Sequence, residues 1–183
     1  LCSGLIAFLG LAVISTPALS DVPPEAPAPT FEPAIRAEQL RPHVQYLASP
    51  KLEGRGSDAS KLLARRYIVQ QWKKIGLRPL FADSPAEIKE TEQTPEAIER
   101  AKFEQAIPGA NGADGGSSII GYNVGAWLPG SDPKLANEIV IISAHYDHLG
   151  LRNGYMYPGA DDNASGVAML IEAARQLANE KVA

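Results

Sequence analysis

Two clusters of polar residues near the C-terminal end of the chain have the composition of a metal site. The first, His145-Tyr146-Asp147-His148, directly follows the apolar run 138–144. Positions two apart in extended backbone point to the same side, so His145 could offer one ring nitrogen to a metal while Asp147 holds the other N–H. Because a His-x-Asp pair is common, an ordinary polar surface loop is the alternative.

The second cluster, Asp161-Asp162-Asn163, lies at the start of a helical pattern. Acidic side chains there complement the helix dipole, and Asn163 can serve as the N-cap. Capping accounts for one acid more easily than for two acids and an Asn together. A carboxylate fixed at this position could bridge two cations, and one short loop separates it from His145.

The surrounding elements predict an α/β protein. The run 138–144 is continuously apolar, as expected of a strand buried on both faces, and ligands in open α/β sheets bind at the carboxyl ends of such strands. A helical pattern over 163–180 follows, which completes a βα unit. Upstream, the sequence predicts helices over Ile35–Leu47 and from Ser57 or Asp58 to Gly76, and a β-rich run over Ile119–Leu128.

Composition excludes several classes of protein. The chain has 183 residues, 45% of them hydrophobic, which suits one domain with a real core. A net charge of -4 gives no basic footprint for nucleic acid, and a single Cys excludes a disulfide framework. Residues 82–118 hold eight acids and three bases, and we expect an acidic surface excursion in which Ser84-Pro85 and Thr94-Pro95 can each begin a short helix.

The N-terminal segment has the pattern of an export signal. Residues 1–20 carry no charge and end in Ala18-Leu19-Ser20, a small-x-small cleavage pattern. The apolar run is too short for a stable membrane span and is broken by Pro17. We therefore expect a secreted or periplasmic protein with signal peptide 1–20 and a Pro-rich mobile leader over 21–34. Residues 35–183 would be the N-terminal part of a larger domain, because the sequence lacks an initiator Met and stops just beyond a helix.

Longer stretches around both clusters resemble a known family. The segments SAHYDHLG and PGADDNASGVAMLIEAARQLA resemble the metal-binding core of the secreted di-zinc aminopeptidases, family twenty-eight of the metallopeptidases. Residues 47–80 and the segment YNVGAWLPGSD are similar to other parts of these enzymes. The resemblance implies a three-layer, mixed and mostly parallel sheet with helices on both faces, incomplete in this chain. It also implies a zinc-dependent exopeptidase that acts on peptides or proteins with a free N-terminus.

The resemblance also implies roles for individual residues. His145 would ligate one zinc ion, and Asp147 would orient the imidazole of His145. Asp161 would bridge both zinc ions, with a cis Asp161–Asp162 peptide bond, and Asp162 would be structural. His148 matches no ligand position and is interpreted as pocket wall or surface. The family's general base and remaining ligands would lie further along the chain, so that no general base is assigned here and the 183 residues alone are expected to be inactive.

Two alternatives remain open at this point. A glutaminyl cyclase has a similar fold, with a single zinc and acyl-transfer chemistry, and a Glu-Glu pair further along the chain would favour the peptidase. A non-catalytic relative that lost its metals is the second alternative. The presence of His145, Asp147 and Asp161 argues against it.

Overall fold

The structure, a computed structural model, describes residues 35–87, 93–109 and 118–180. The predicted signal peptide 1–20 and leader 21–34 lie outside the described residues, as does most of the glycine-rich stretch 109–118. Within the described ranges, no helix has the length and apolar character needed to cross a membrane.

The described residues form both helices and strands. The helices are α1 (Ala37–Leu47), α2 (Asp58–Ile75), α3 (Pro95–Ala101) and α4 (Ser165–Asn179). A 3₁₀ segment, Pro50–Arg55, precedes α2, and a turn with π-helical hydrogen bonding, Ala160–Ala164, leads into α4. Six short strands pair in antiparallel fashion: β1 (Arg78–Pro79) with β4 (Ala126–Trp127), β2 (Glu104–Pro108) with β3 (Ile119–Val124), and β5 (Gly150–Arg152) with β6 (Tyr155–Tyr157).

Local signals predicted both ends of α2 and the start of α3 correctly. Ser57 caps α2 by accepting a hydrogen bond from the backbone N–H of Ser60 at 3.2 Å, and Gly76 ends the helix at φ 87°. Thr94 caps α3 in the same way through Ala97 N–H, also at 3.2 Å. No helix begins at Ser84-Pro85 within the described residues up to 87, although the sequence allowed one there.

The core lies where α1, α2 and α4 pack together. Its fully buried side chains include Leu47, Leu52, Val167 and Ile171. Phe103, which is 3% exposed, joins the same cluster. The stretch 82–118 was expected to be a surface excursion, and among its described residues Phe103 packs on the core.

The predicted interior strand over 138–145 is not present. Residues 138–149 adopt no regular secondary structure, and Ile139, Val140 and Ile141 are 83%, 89% and 83% exposed. The reason is that a strand requires a hydrogen-bonded neighbour, and no described segment pairs with this run. The α/β composition is confirmed, whereas the three-layer, mostly parallel sheet is not.

Candidate metal centre

His145 lies between two aspartates. Its Nδ1 is 3.2 Å from the backbone oxygen of Asp147 and 3.7 Å from Oδ1 of the same residue. Its Nε2 is 3.1 Å from Oδ1 of Asp162. Because a carbonyl oxygen only accepts, the contact with Asp147 favours the tautomer that carries its hydrogen on Nδ1. The Nε2 lone pair of His145 is then directed toward Asp162.

His148 contacts the other oxygen of the same carboxylate. Its Nδ1 is 3.3 Å from Oδ2 of Asp162, and its side chain is only 12% exposed. The imidazole lies over Gly159, where a Cβ atom would be 2.6 Å from the ring. The sequence suggested pocket wall or surface for His148. The structure places it beside His145, with Asp162 between the two imidazoles.

Of the two adjacent acids, Asp162 lies beside the histidines. The Asp162 carboxylate faces the histidines, whereas no ion pair within the described ranges joins Asp161 to either of them. Asp161 instead receives a hydrogen bond on its backbone oxygen from the Ser165 hydroxyl, at 2.8 Å. The cis peptide bond is Asp162–Asn163, one residue later than expected. The irregular turn that precedes α4 decides which acid faces His145, and two identical side chains in sequence cannot reveal its register.

The comparison with family models identifies the segment that carries both clusters. Residues 123–183 match the model of Peptidase family M28. This segment, about a third of the chain, is therefore similar to the M28 peptidases. M28 peptidases are metallopeptidases and are typically zinc-dependent. Neither the curated proteins nor the solved structures with which the chain was compared gave a match.

The donor set at His145 and Asp162 suits the zinc ion of an M28 peptidase. Two ligand atoms on one tetrahedral zinc are about 3.3 Å apart, given bond lengths of about 2.0–2.1 Å. The separation of 3.1 Å between His145 Nε2 and Asp162 Oδ1 is close to that value. Two acceptor atoms at this distance repel each other unless a proton or a cation lies between them. Both side chains are more than half exposed, at 55% and 66%, so that an ion can reach them.

The centre is a partial one. In the described part of the chain, no group of three or more His, Cys, Asp or Glu side chains is arranged to hold a metal ion. His145 and His148 both contact Asp162 directly, and this arrangement differs from a ligand cage around a central ion. His145 and Asp162 would hold zinc with further ligands from elsewhere, because zinc sites take three or four protein ligands.

One residue near the centre was missed by the sequence analysis. Arg55 lies in the loop KLEGRGSD, and its guanidinium donates hydrogen bonds to backbone oxygens that flank both polar clusters. An arginine between two glycines was the available signal, because glycines allow close backbone approach and a loop arginine can reach several carbonyls. The sequence alone could not show which carbonyl oxygens Arg55 would contact.

Proposed function

We propose that the protein is a zinc-dependent aminopeptidase, and that this chain supplies one part of a two-zinc centre. The observation that carries the proposal is the 3.1 Å approach of His145 Nε2 to Asp162 Oδ1 within the segment that matches the M28 family. An imidazole nitrogen and a carboxylate oxygen are donors that zinc prefers. When bound, zinc activates a water molecule and polarises the scissile carbonyl.

The chain's own residues have distinct tasks in this proposal. His145 would hold zinc through Nε2, and Asp147 would keep the imidazole in the required tautomer and orientation. Asp162, and not Asp161, would hold zinc together with His145, because its Oδ1 faces His145 while its Oδ2 faces His148. His148 restrains the second oxygen. No general base is assigned to the described residues.

Adjacent aspartates provide a matched test of this assignment. Asp162→Asn should weaken zinc binding by at least about 10–100-fold, since the amide retains the shape but loses the charge that faces His145. Asp161→Asn should change the affinity little, because that side chain does not contact the histidines. Competition with a chromophoric zinc chelator measures both. A larger loss for Asp161→Asn would return the bridging role to Asp161.

Activity distinguishes the proposed aminopeptidase from its alternatives. We expect the full-length protein to cleave an aminoacyl chromogenic substrate and to leave the N-acetylated form of the same substrate intact. Cyclisation of an N-terminal glutaminyl peptide would instead indicate the cyclase, and zinc binding without turnover of either substrate would indicate a non-catalytic relative. The 183 residues alone should bind zinc weakly and show no peptidase activity.

The proposal includes export and a larger sheet. An uncharged apolar segment that ends in Ala18-Leu19-Ser20 supports export, and mass spectrometry of exported protein should find Asp21 as the first residue. An intact N-terminus in exported material would contradict a cleaved signal peptide. The continuous apolar run 138–144 supports a strand of a mostly parallel sheet once neighbouring strands are supplied.

A further inference from the structure

Arg55 joins three segments of the chain through its side chain. The side chain is fully buried. Its Nε donates to the Tyr146 oxygen at 2.7 Å, and its Nη2 donates to the Gly159 oxygen at 2.8 Å. Its Nη1 donates to the oxygens of Leu47 and Pro158, at 2.5 and 2.8 Å. One guanidinium thus holds the end of α1 and both loops that carry the metal donors.

The backbone at Arg55 reinforces the same connection. Its carbonyl oxygen accepts a hydrogen bond from the backbone N–H of His148 at 3.2 Å. Tyr146, whose oxygen binds the guanidinium, lies between His145 and Asp147 in the chain. The His145–His148 loop is therefore fixed at Arg55 from both the side chain and the main chain.

The conformation of this loop is one that side chains rarely adopt. Arg55 has φ 54°, and Glu53 and Gly54 before it have φ 44° and 67°. A residue other than Gly is strained in the left-handed region, and such conformations persist when the surrounding structure over-determines them. Close backbone packing provides that restraint: a Cβ at Gly56 would lie 2.6 Å from the Gly150 Cα.

The charge of Arg55 also interacts with carboxylates of the metal centre. No ion pair among the described residues includes Arg55, so its direct partners are carbonyl oxygens. Burial lowers the pKa of the guanidinium, and the nearby charges of Asp147 and Asp162 raise it. An arginine nonetheless retains its charge in a protein. Its positive charge therefore interacts with Asp147 and Asp162, the two acids beside His145.

We infer that Arg55 is a positioning residue that holds the His145 loop and the Asp162 loop at the separation a shared cation requires. The inference rests on the proposed function, since it gives the alignment of the two loops a purpose. A lysine cannot replace the arginine, because its single ammonium has three donors and lacks the planar fork that reaches four carbonyls. Arg55 lies outside the segment that matches the family.

The test compares Arg55→Lys with Arg100→Lys in the full chain. Arg100 is also buried, at 6% exposure, and its Nε donates to Glu104 at 3.1 Å, away from the metal donors. Cobalt(II) serves as the probe metal, since its visible spectrum reports ligand geometry. We expect Arg55→Lys to weaken cobalt binding about tenfold or more and to alter the spectrum. Arg100→Lys should change the affinity by less than about threefold, because that site is independent of the metal donors.

Hydrogen exchange of the metal-free protein gives a readout that does not need the ion. Arg55→Lys should speed amide exchange about tenfold in the segments 145–149 and 158–164, because their carbonyl anchors are lost. Arg100→Lys should leave these amides unchanged while lowering global stability. Equal effects of the two variants on cobalt affinity and on these amides would overturn the inference and assign Arg55 a structural role only.

Two further measurements keep the outcomes separate. If wild-type chain binds no cobalt, or if Asp162→Asn binds it equally well, the proposed function fails, whereas the exchange result still judges the link between the loops. If Arg55→Lys does not fold, native-state amide hydrogen exchange of the wild type in dilute denaturant tests whether the three segments open together. Opening of 53–56, 145–149 and 158–164 with one common free energy supports the inference, and independent opening overturns it.

Discussion

At the scale of single residues, the imidazole of His145 has a different aspartate at each nitrogen. Asp147 offers both its backbone oxygen, at 3.2 Å, and its carboxylate, at 3.7 Å. Asp147→Asn removes the charge but keeps the backbone acceptor, so we expect zinc affinity to fall by about tenfold, at the low end of the usual range for such partners. Chelator competition should show a smaller loss than for Asp162→Asn. A loss as large as that of Asp162→Asn would mean that Asp147 itself contacts the ion.

Two glycines with left-handed backbone provide a second comparison at this scale. Gly159 has φ 58°, and a Cβ there would lie 2.4 Å from the Asp162 backbone oxygen and 2.6 Å from the His148 ring. Gly154 has φ 80° with nothing within 4 Å of such a Cβ. Gly154→Ala should therefore cost only the backbone term of roughly 1–2 kcal/mol. Gly159→Ala should cost more in urea denaturation and should also weaken zinc binding. Equal losses of stability with intact zinc binding would contradict close packing of His148 on Gly159.

At the scale of elements, a buried polar chain connects α1, α2 and α4. His43 Nε2 is 2.9 Å from Glu172 Oε1, and His43 Nδ1 is 2.7 Å from the Tyr67 hydroxyl. The other oxygen of Glu172 accepts hydrogen bonds from Arg175. Because an ionised carboxylate only accepts hydrogen bonds, Nε2 of His43 is the donor to Glu172. These hydrogen bonds therefore join all three helices that surround the core.

This connection makes the fold sensitive to acid. Burial raises the pKa of Glu172, but the hydrogen bonds and charges of Arg175 and His43 lower it, and the net shift is downward. A lowered pKa in the folded state contributes stability above the ordinary glutamate pKa of about 4.3, and this contribution is lost as the pH falls below it. Urea denaturation at pH 7 and near pH 3.5 should show a smaller acid loss for Glu172→Gln than for the wild type. If both proteins lose the same free energy of unfolding between the two pH values, Glu172 does not contribute to the acid sensitivity.

At the scale of the whole molecule, the described residues expose the apolar run 139–142 to solvent. Its backbone groups have no strand beside them, and Val140 is 89% exposed. Exposed apolar segments whose backbone groups lack partners promote association between chains. We expect the 183-residue chain to self-associate with increasing concentration, as measured by size-exclusion chromatography with light scattering.

A charge in the run should reduce this association. Val140→Lys places an ammonium in the middle of the exposed segment, which disfavours edge-to-edge pairing. Met169→Lys is the control, because Met169 is 47% exposed on α4, outside the run. The first variant should be more monomeric than the second. The inference that 139–142 drives association fails if both variants behave alike.

Both ends of α2, the start of α3 and the location of the polar clusters could be predicted from the sequence. Ser57, Thr94 and Gly76 act within a single turn of backbone, so that their caps and stops can be read from local chemistry. The order of His145 before the paired acids likewise identified the segment that matches the peptidase family. These features depend on neighbours a few residues apart.

Which side chains meet could be learned only from the folded chain. The choice of Asp162 over Asp161 depends on the register of an irregular turn, and the role of Arg55 depends on carbonyls that lie about 90–100 residues away along the chain. The strand predicted over 138–145 did not form for a related reason. A buried strand needs a neighbouring strand, and the sequence of the segment itself does not show whether one is present. Local propensity is a property of a segment, whereas pairing, packing and burial are properties of the surfaces that the rest of the chain presents to it.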